Sequence, residues 1–219
     1  IMMAMLMAVI PSTAQNYKHS KYYNQKTGHL DYGFNNKGVD TYYGIRIGPG
    51  FSYVTSDDSR LDGGDWQTGL NVGVVAGFPL TYSDPLYLET GFYYIEKGGK
   101  KSLGGGKKMT YDLNYLEIPV VVKYKYEIDD DLTIEPFAGG YFAAGVGGKI
   151  KNFAEREAQS SFRSDNFRRL DGGLRIGCGI GYDMFYADLT YDLGLANICH
   201  DTFDKARNRA VMLNFGVNF

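Results

Sequence analysis

The chain has 219 residues and a formal net charge of −2, so it suits one domain or two small ones and shows no basic face for nucleic acid. No uncharged apolar run approaches the roughly 20 residues of a transmembrane helix, which excludes a helical membrane protein. The 29 glycines, 19 tyrosines and 13 phenylalanines beside only 6 prolines are typical of an all-β chain with many turns.

The N-terminal segment 1–14 is apolar and ends in Pro-Ser-Thr-Ala. This pattern predicts the remnant of a secretory signal peptide, with Ser12 and Ala14 as the small residues of its cleavage site. The usual positive stretch is missing, so we expect the sequence to start a few residues late; a buried N-terminal strand or helix is the alternative. Residues 15–40 are polar and aperiodic, which predicts a flexible lead-in on the periplasmic side.

From residue 41 onward, apolar and polar residues alternate as they do in β-strands. Eight strands, each bounded by Gly, Asp, Asn, Ser or Pro, are predicted at 41–54, 67–81, 86–97, 110–126, 132–147, 170–182, 185–196 and 208–219. Their connections alternate between short ones, at 82–85, 127–131 and 183–184, and long polar ones, at 55–66, 98–109, 148–169 and 197–207. Short periplasmic turns, long extracellular loops and an even strand number are typical of outer-membrane barrels.

One face of each predicted strand is apolar, and we expect it to contact lipid. Representative lipid-facing residues are Val74, Phe92, Val120, Ile180, Leu189 and Phe215. A soluble sandwich or a lipocalin-like barrel also alternates, but its outer face should be rich in Lys, Glu and Ser. The opposite faces are instead rich in Gly and hold isolated charges, and aromatic residues follow the strand ends. The prediction is therefore an eight-stranded antiparallel up-and-down transmembrane β-barrel over 41–219.

Two hairpins predict ion pairs inside this barrel. A two-residue turn at Asp183 places Arg175 opposite Asp192, and pairing Tyr126 with Leu132 places Lys123 opposite Glu135. Further inward charges are predicted at Arg46, Glu89, Glu117 and Asp188. Because an isolated buried charge is far more costly than a paired one, we expect a nearly neutral, plugged lumen.

The two cysteines are predicted to remain unbridged. In the same hairpin Cys178 lies opposite Leu189, and Cys199 is ten positions beyond, about 33 Å at roughly 3.3 Å per residue. A disulfide needs Cα atoms within about 7 Å of each other.

Other polar clusters could be either functional sites or simply the solvated surface of loops. Acids of the first long loop (Asp57, Asp58, Asp62, Asp65) and lysines of the second (Lys97, Lys100, Lys101, Lys107, Lys108) suit cations and lipopolysaccharide phosphates, but we favour solvated loops. His200 and Asp201, with Ser160, Ser161 and Ser164, would suit a hydrolase. No nucleophile or zinc motif accompanies them, so we predict no catalysis, no metal site and no cofactor. Gly177, Gly179 and Gly181 precede no helix, and we expect them to make room in the lumen.

Several segments resemble the PorT-like outer-membrane β-barrel family: YLEIPVVVKY at 115–124, TYDLGLANI at 190–198, YLETGFYYIEKGGK at 87–100 and GLNVGVVAGF at 69–78. The resemblance implies an outer-membrane location and an eight-stranded barrel. It also implies insertion through the outer-membrane assembly machinery, which reads a last strand ending in an aromatic residue such as Phe219. The founding member of the family is linked to protein secretion and gliding, although a fold does not settle a function.

These patterns together predict a barrel with a structural or interaction role in the cell envelope. Its expected partners are outer-membrane lipid, lipopolysaccharide, the assembly machinery and an envelope protein that the sequence does not identify, with no nucleic acid. The alternatives are a small-solute channel, a secretion component and a soluble secreted ligand carrier. An eight-stranded barrel is just wide enough for side chains to fill, which disfavours the channel.

Overall fold

The computed structural model describes residues 41–57, 65–81, 84–102, 108–129, 131–151, 159–162, 167–199 and 205–219. The segments predicted as signal peptide remnant and lead-in, 1–14 and 15–40, lie outside these residues. Within the described segments, the chain contains no helix of a length and hydropathy suited to crossing a bilayer.

The described residues form one antiparallel sheet of eleven strands. In chain order these are β1 (Tyr42–Ser56), β2 (Gln67–Pro79), β3 (Leu86–Ser102), β4 (Lys108–Tyr124), β5 (Tyr126–Asp129), β6 (Leu132–Gly147), β7 (Lys149–Lys151), β8 (Gln159–Ser160), β9 (Leu170–Tyr182), β10 (Phe185–Gly194) and β11 (Ala206–Asn218). Eight of them, all except the short β5, β7 and β8, make the wall. β11 pairs with β1 and β4 with β6, so the sheet closes into the predicted eight-stranded barrel.

The two ends of the barrel differ, as the loop lengths predict. Tyr43 and Phe219 exchange backbone hydrogen bonds of 3.1 and 2.7 Å at the end that holds the connections after β2, β5 and β9. We call this the turn end and the opposite one the loop end. Because barrels of this kind have short periplasmic turns, the turn end faces the periplasm and the loop end faces the outside.

The β9–β10 hairpin has the register that its two-residue turn predicts. Asp183 adopts a positive φ of 52° there, a conformation that Asp tolerates better than most residues. Arg175 lies opposite Asp192, and Cys178 lies opposite Leu189.

The predicted register of the β5–β6 hairpin is wrong by two residues. Tyr126 lies opposite Ile134 rather than Leu132, and Lys123 lies opposite Phe137 rather than Glu135. The cause is that pairing continues as far as Asp129, which lies opposite Leu132, so the turn is tighter than the predicted 127–131; an irregularity between Glu127 and Asp129 accompanies it. A shift of two residues keeps every side chain on its predicted face, because strands have a period of two.

Burial alternates along the wall, with the apolar face outside. The six representative lipid-facing residues are exposed by between 41% (Val120) and 65% (Phe92). Tyr124, Tyr126, Tyr182 and Phe185, which the sequence places beside short turns, are exposed at the turn end. They form a ring of aromatic side chains of the kind that marks the membrane interface.

Glycines on the inner face make room for aromatic rings. A Cβ atom on Gly179 would overlap the Tyr186 ring, and one on Gly177 would overlap the Phe137 ring. Gly181 similarly faces Thr133. The three glycines therefore let bulky neighbours fill the lumen.

Both cysteines are free, with Cys178 exposed on the outer face and Cys199 buried at the loop end. We expect thiol titration of the denatured, unreduced protein to count two reactive thiols per chain, since the two residues lie at different heights of the barrel. A monomeric protein without a titratable thiol would contradict the β9–β10 register.

Candidate functional site: the ion-paired lumen

Buried charged and aromatic side chains fill the lumen at three levels. The lower cluster, near the turn end, consists of Arg46, Glu89, Lys123, Lys125 and Glu135. The upper quartet, farther toward the loop end, consists of Lys97, Glu117, Arg175 and Asp192. The loop-end cap consists of Phe162, Phe167, Ile198 and Cys199.

In the upper quartet each cation contacts both carboxylates. Lys97 Nζ lies 2.7 Å from Glu117 and 3.1 Å from Asp192. Arg175 donates from Nε to Asp192 at 2.8 Å and also pairs with Glu117. The four side chains come from β3, β4, β9 and β10, so this neutral ring joins opposite walls of the barrel. At most 6% of any of the four side chains is exposed.

Aromatic rings complete the surroundings of the quartet. Lys97 Nζ lies 4.3 Å from the centre of the Tyr141 ring, and the Arg175 guanidinium lies 5.7 Å from the centre of the Tyr93 ring. Such contacts stabilise a cation that has left water. The rings also exclude water, which strengthens the ion pairs and makes an unpaired charge there costly.

The lower cluster is arranged around Lys123, whose ammonium group lies 2.7 Å from Glu89 and 3.4 Å from Glu135. Lys123 also donates to the Tyr186 hydroxyl at 2.9 Å. The Lys123–Glu135 contact forms although the predicted register is wrong, because Glu135 lies two residues from the position opposite Lys123 and diagonal neighbours are within reach of long side chains.

Arg46 and Tyr42 close the lower cluster against the turn end. The Arg46 guanidinium lies 4.0 Å from the centre of the Tyr186 ring and donates to Asn218 at 2.6 Å. The Tyr42 hydroxyl donates to Glu89 at 2.5 Å. The terminal strands β1 and β11 are thereby linked through the lumen as well as through their backbones.

Two buried carboxylates accept hydrogen bonds from neutral groups. Asp188 accepts from Thr190 and Asn214, each at 2.7 Å, and Asp171 accepts from Asn208 at 2.8 Å. The charges of the described lumen are then Arg46, Lys97, Lys123, Lys125 and Arg175 against Glu89, Glu117, Glu135, Asp171, Asp188 and Asp192. This near balance agrees with the expectation of a nearly neutral interior.

The loop-end cap packs into the barrel mouth from the third and fourth long loops. Phe167 stacks on Tyr111 with ring centres 5.6 Å apart, and its backbone pairs in an antiparallel manner with that of Cys199. Ile198 is completely buried in the same apolar group. The outer mouth is therefore covered by apolar side chains above the quartet.

A small cavity lies between the two charged levels. A cavity of ≈ 10 Å³ is lined by Glu89 of the lower cluster and Arg175 of the upper quartet, together with Asp188. A buried water needs about 10–15 Å³ of such space, so the cavity holds about one water molecule.

All eight lumen charges predicted from the sequence lie inside the barrel; each of them is at most 7% exposed. Lys97 is not among the predicted lumen charges: it ends the predicted strand 86–97, but its charge groups it with the lysines of the second long loop. β3 continues through it to Ser102, and its odd number places it on the inner face with Glu89 and Ile95. The cap was also missed, since isolated Phe and Ile residues in polar segments have no period that signals burial.

The loop residues considered as cation, phosphate or catalytic sites do not assemble into one site among the described residues. Asp65 and Lys100 exchange backbone hydrogen bonds of 2.6 and 3.2 Å, so the first two long loops are neighbours. Ser161 is buried and donates to the Asp112 carbonyl at 2.6 Å, whereas Ser160 is exposed. Asp58, Asp62, Lys107, Ser164, His200 and Asp201 lie outside the described residues. No group of three metal-binding side chains occurs in the described part of the chain.

The chain is similar to several solved outer-membrane proteins. The attachment invasion locus protein Ail of Yersinia pestis, in complex with the heparin analogue sucrose octasulfate, is 18% identical over 82% of this chain and 99% of its own, with a TM-score of 0.42. Neisserial surface protein A is 13% identical over 82% and 99%, with a TM-score of 0.49. A major outer membrane protein of Thermus thermophilus is 14% identical over 82% and 100%, also at 0.49.

A comparison with curated protein sequences finds no significant match. The family model described as outer membrane protein beta-barrel domain matches residues 40–200, which is most of the barrel. The chain therefore belongs to the outer membrane protein β-barrel domain family and is a protein of the bacterial outer membrane.

Proposed function

We propose that this outer-membrane barrel has a structural or interaction role in the cell envelope, with a lumen plugged by its own side chains and no catalytic activity. The observation that carries the proposal is the upper quartet, in which Lys97 on β3 and Asp192 on β10 approach to 3.1 Å across the lumen. An ion passing this level would have to separate buried charges that have no water to replace their partners.

The other two levels support the same proposal. The lower cluster joins Lys123 to Glu89 at 2.7 Å, and the cap buries Ile198 and Phe167 in the outer mouth. Opening a continuous path would therefore require changes at three separate heights. This argues against the small-solute channel.

The described side chains also favour a protein without catalysis. Ser161, one of the candidate nucleophiles, is buried and its hydroxyl hydrogen is donated to a backbone carbonyl. A catalytic serine would need an adjacent base and access to substrate. The surfaces left for partners are the lipid face and the two ends of the barrel.

We further propose that the chain belongs to the PorT-like branch of the family and is inserted by the outer-membrane assembly machinery. The segments at 115–124 and 190–198 support the branch. Phe219 directly follows β11, pairs through its backbone with Tyr43 and is 37% exposed, which supports a role as an aromatic assembly signal. A role in protein secretion would follow only from the founding member of that branch, and no contact in the described barrel favours it.

Planar-bilayer recording tests the plugged lumen. We expect the parent protein to give no steady single-channel conductance after insertion, whereas a porin of larger strand number in the same lipid does. A heat-modifiable gel shift on the same sample shows that the silent protein is folded. Steady conductance from folded parent protein would contradict the proposal.

A further inference from the structure

Basic and aromatic side chains meet on the outer face of the barrel at the loop end. We call this group the rim patch and define it as Tyr53 on β1, Trp66 just before β2, and Arg207 and Arg209 on β11. Trp66 is 51% exposed, and its ring centre lies 4.5 Å from that of Tyr53. Arg209 lies opposite Tyr53 in the β1–β11 pairing.

The outward side chains of β11 change from apolar to basic at this patch. From the turn end upward, alternate residues are apolar as far as Val211, and the next two outward positions are Arg209 and Arg207. Five alternate apolar residues followed by two arginines match a strand that leaves hydrocarbon and enters a layer of charged headgroups. The patch thus lies at the height of the lipid headgroups.

The arginines are positioned to bind an anion. Arg209 Nη1 donates to the carbonyls of Gly194 at 2.7 Å and Asn208 at 3.3 Å, which anchors the guanidinium to the wall. Within the part of the chain that the structure describes, its Nε and Nη2 atoms and the whole Arg207 guanidinium make no hydrogen bond or ion pair. The nearest described carboxylate along β1 belongs to Asp57, which directly follows the strand. Its backbone N–H donates to the carbonyl of Lys205, two residues before Arg207.

The turn end shows the contrast. Its outward ring, with Tyr43, Tyr124, Tyr182 and Phe185, carries aromatic side chains and no arginine among the described residues. Among these outward residues, arginine therefore lies beside aromatic side chains at the loop end and not at the turn end. Two arginines beside an aromatic pair suit phosphate, which accepts several charge-assisted hydrogen bonds, above acyl chains that pack on Phe51 and Val211.

We propose that the rim patch binds the phosphate groups of a phosphorylated glycolipid of the outer leaflet, the lipid A part of lipopolysaccharide. The inference rests on the outer-membrane location and deepens the proposed interaction role by naming a lipid partner and its contact residues. It differs from the phosphate site considered for the lysines of the second long loop, of which Lys97 lies in the lumen.

The only tryptophan of the chain, Trp66, reports on the patch directly. We expect diphosphorylated lipid A, titrated into folded protein in a zwitterionic detergent, to shift the Trp66 emission saturably. Arg207→Gln with Arg209→Gln should weaken this binding at least about tenfold, because it removes the charge-assisted hydrogen bonds to phosphate. Lys101→Gln with Lys149→Gln removes the same charge at the loop end away from the patch and should bind like the parent.

Each arm of the titration has a result that overturns the proposal. Equal affinity of the double arginine variant and the parent would show that the patch does not bind the phosphates. Equal affinity for dephosphorylated lipid A would remove phosphate as the ligand, and equal affinity for phosphatidylglycerol would make the site one for any anionic lipid. The heat-modifiable gel shift must be retained in both variants. If the parent protein binds lipid A but also conducts ions, the plugged lumen is contradicted and the lipid A site is not.

Discussion

Replacing Arg175 by Met is expected to lower the free energy of unfolding by about 3–5 kcal/mol, the usual cost of stranding one member of a buried ion pair. The change leaves Glu117 and Asp192 with Lys97 as their one cation in the quartet. Asp192→Leu should cost a similar amount, because it leaves two cations with Glu117. Urea unfolding of the barrel in liposomes, followed by Trp66 fluorescence, measures both losses.

The double variant Arg175→Met with Asp192→Leu should lose less than the sum of the two single losses. It leaves Lys97 and Glu117 as a neutral pair 2.7 Å apart, so no charge is stranded. We expect a coupling of about 1–3 kcal/mol, within the range found for residues in one network. Leu213→Ala on the outer face provides the matched control, since its combination with Arg175→Met should be additive within about 0.5 kcal/mol. Additive losses for Arg175 and Asp192 would show that the two side chains do not meet.

Introducing Arg at Val120 is expected to destabilise the barrel by about 2–4 kcal/mol, the cost of a guanidinium on the lipid face near the bilayer midplane. Val120 lies within β4, between Thr90 and Gly140 of the neighbouring strands, and is 41% exposed on the outer face. Reversible urea unfolding in liposomes of a phospholipid with defined chain length measures the loss.

Thr68→Arg is the matched control, because it introduces the same side chain on the outer face at a different depth in the bilayer. Thr68 faces outward at the loop end of β2, opposite Phe51, and is already exposed. The same side chain there should cost about 0–1 kcal/mol, because it reaches the interface. If Val120→Arg unfolds at the same urea concentration as the parent, the lipid face has been assigned to the wrong side of the sheet.

The strands and their faces could be predicted from the sequence because both depend on local pattern. A period of two in β4 separates Val120 and Val122 from Glu117 and Lys123, and the closed barrel preserves that separation. The two-residue turn at Asp183 determines the β9–β10 register in the same local way, since a tight hairpin leaves no freedom to slide. The β5–β6 hairpin has an irregularity between Glu127 and Asp129 that no residue pattern marks, and there the predicted pairing of Tyr126 is wrong by two residues.

The lumen contacts depended on the tertiary structure. Lys97 and Asp192 are 95 positions apart and lie on strands that do not pair, so no strand pattern brings them together. Their contact follows from the closure of the sheet, which turns all inner faces toward one axis and leaves buried charges no partners but each other. The cap formed by Phe167 and Ile198 likewise depends on loops that fold back over the mouth. The sequence by itself therefore determined which side chains face inward, and barrel closure decided which of them meet, because period and turn length are local while distances across the lumen are not.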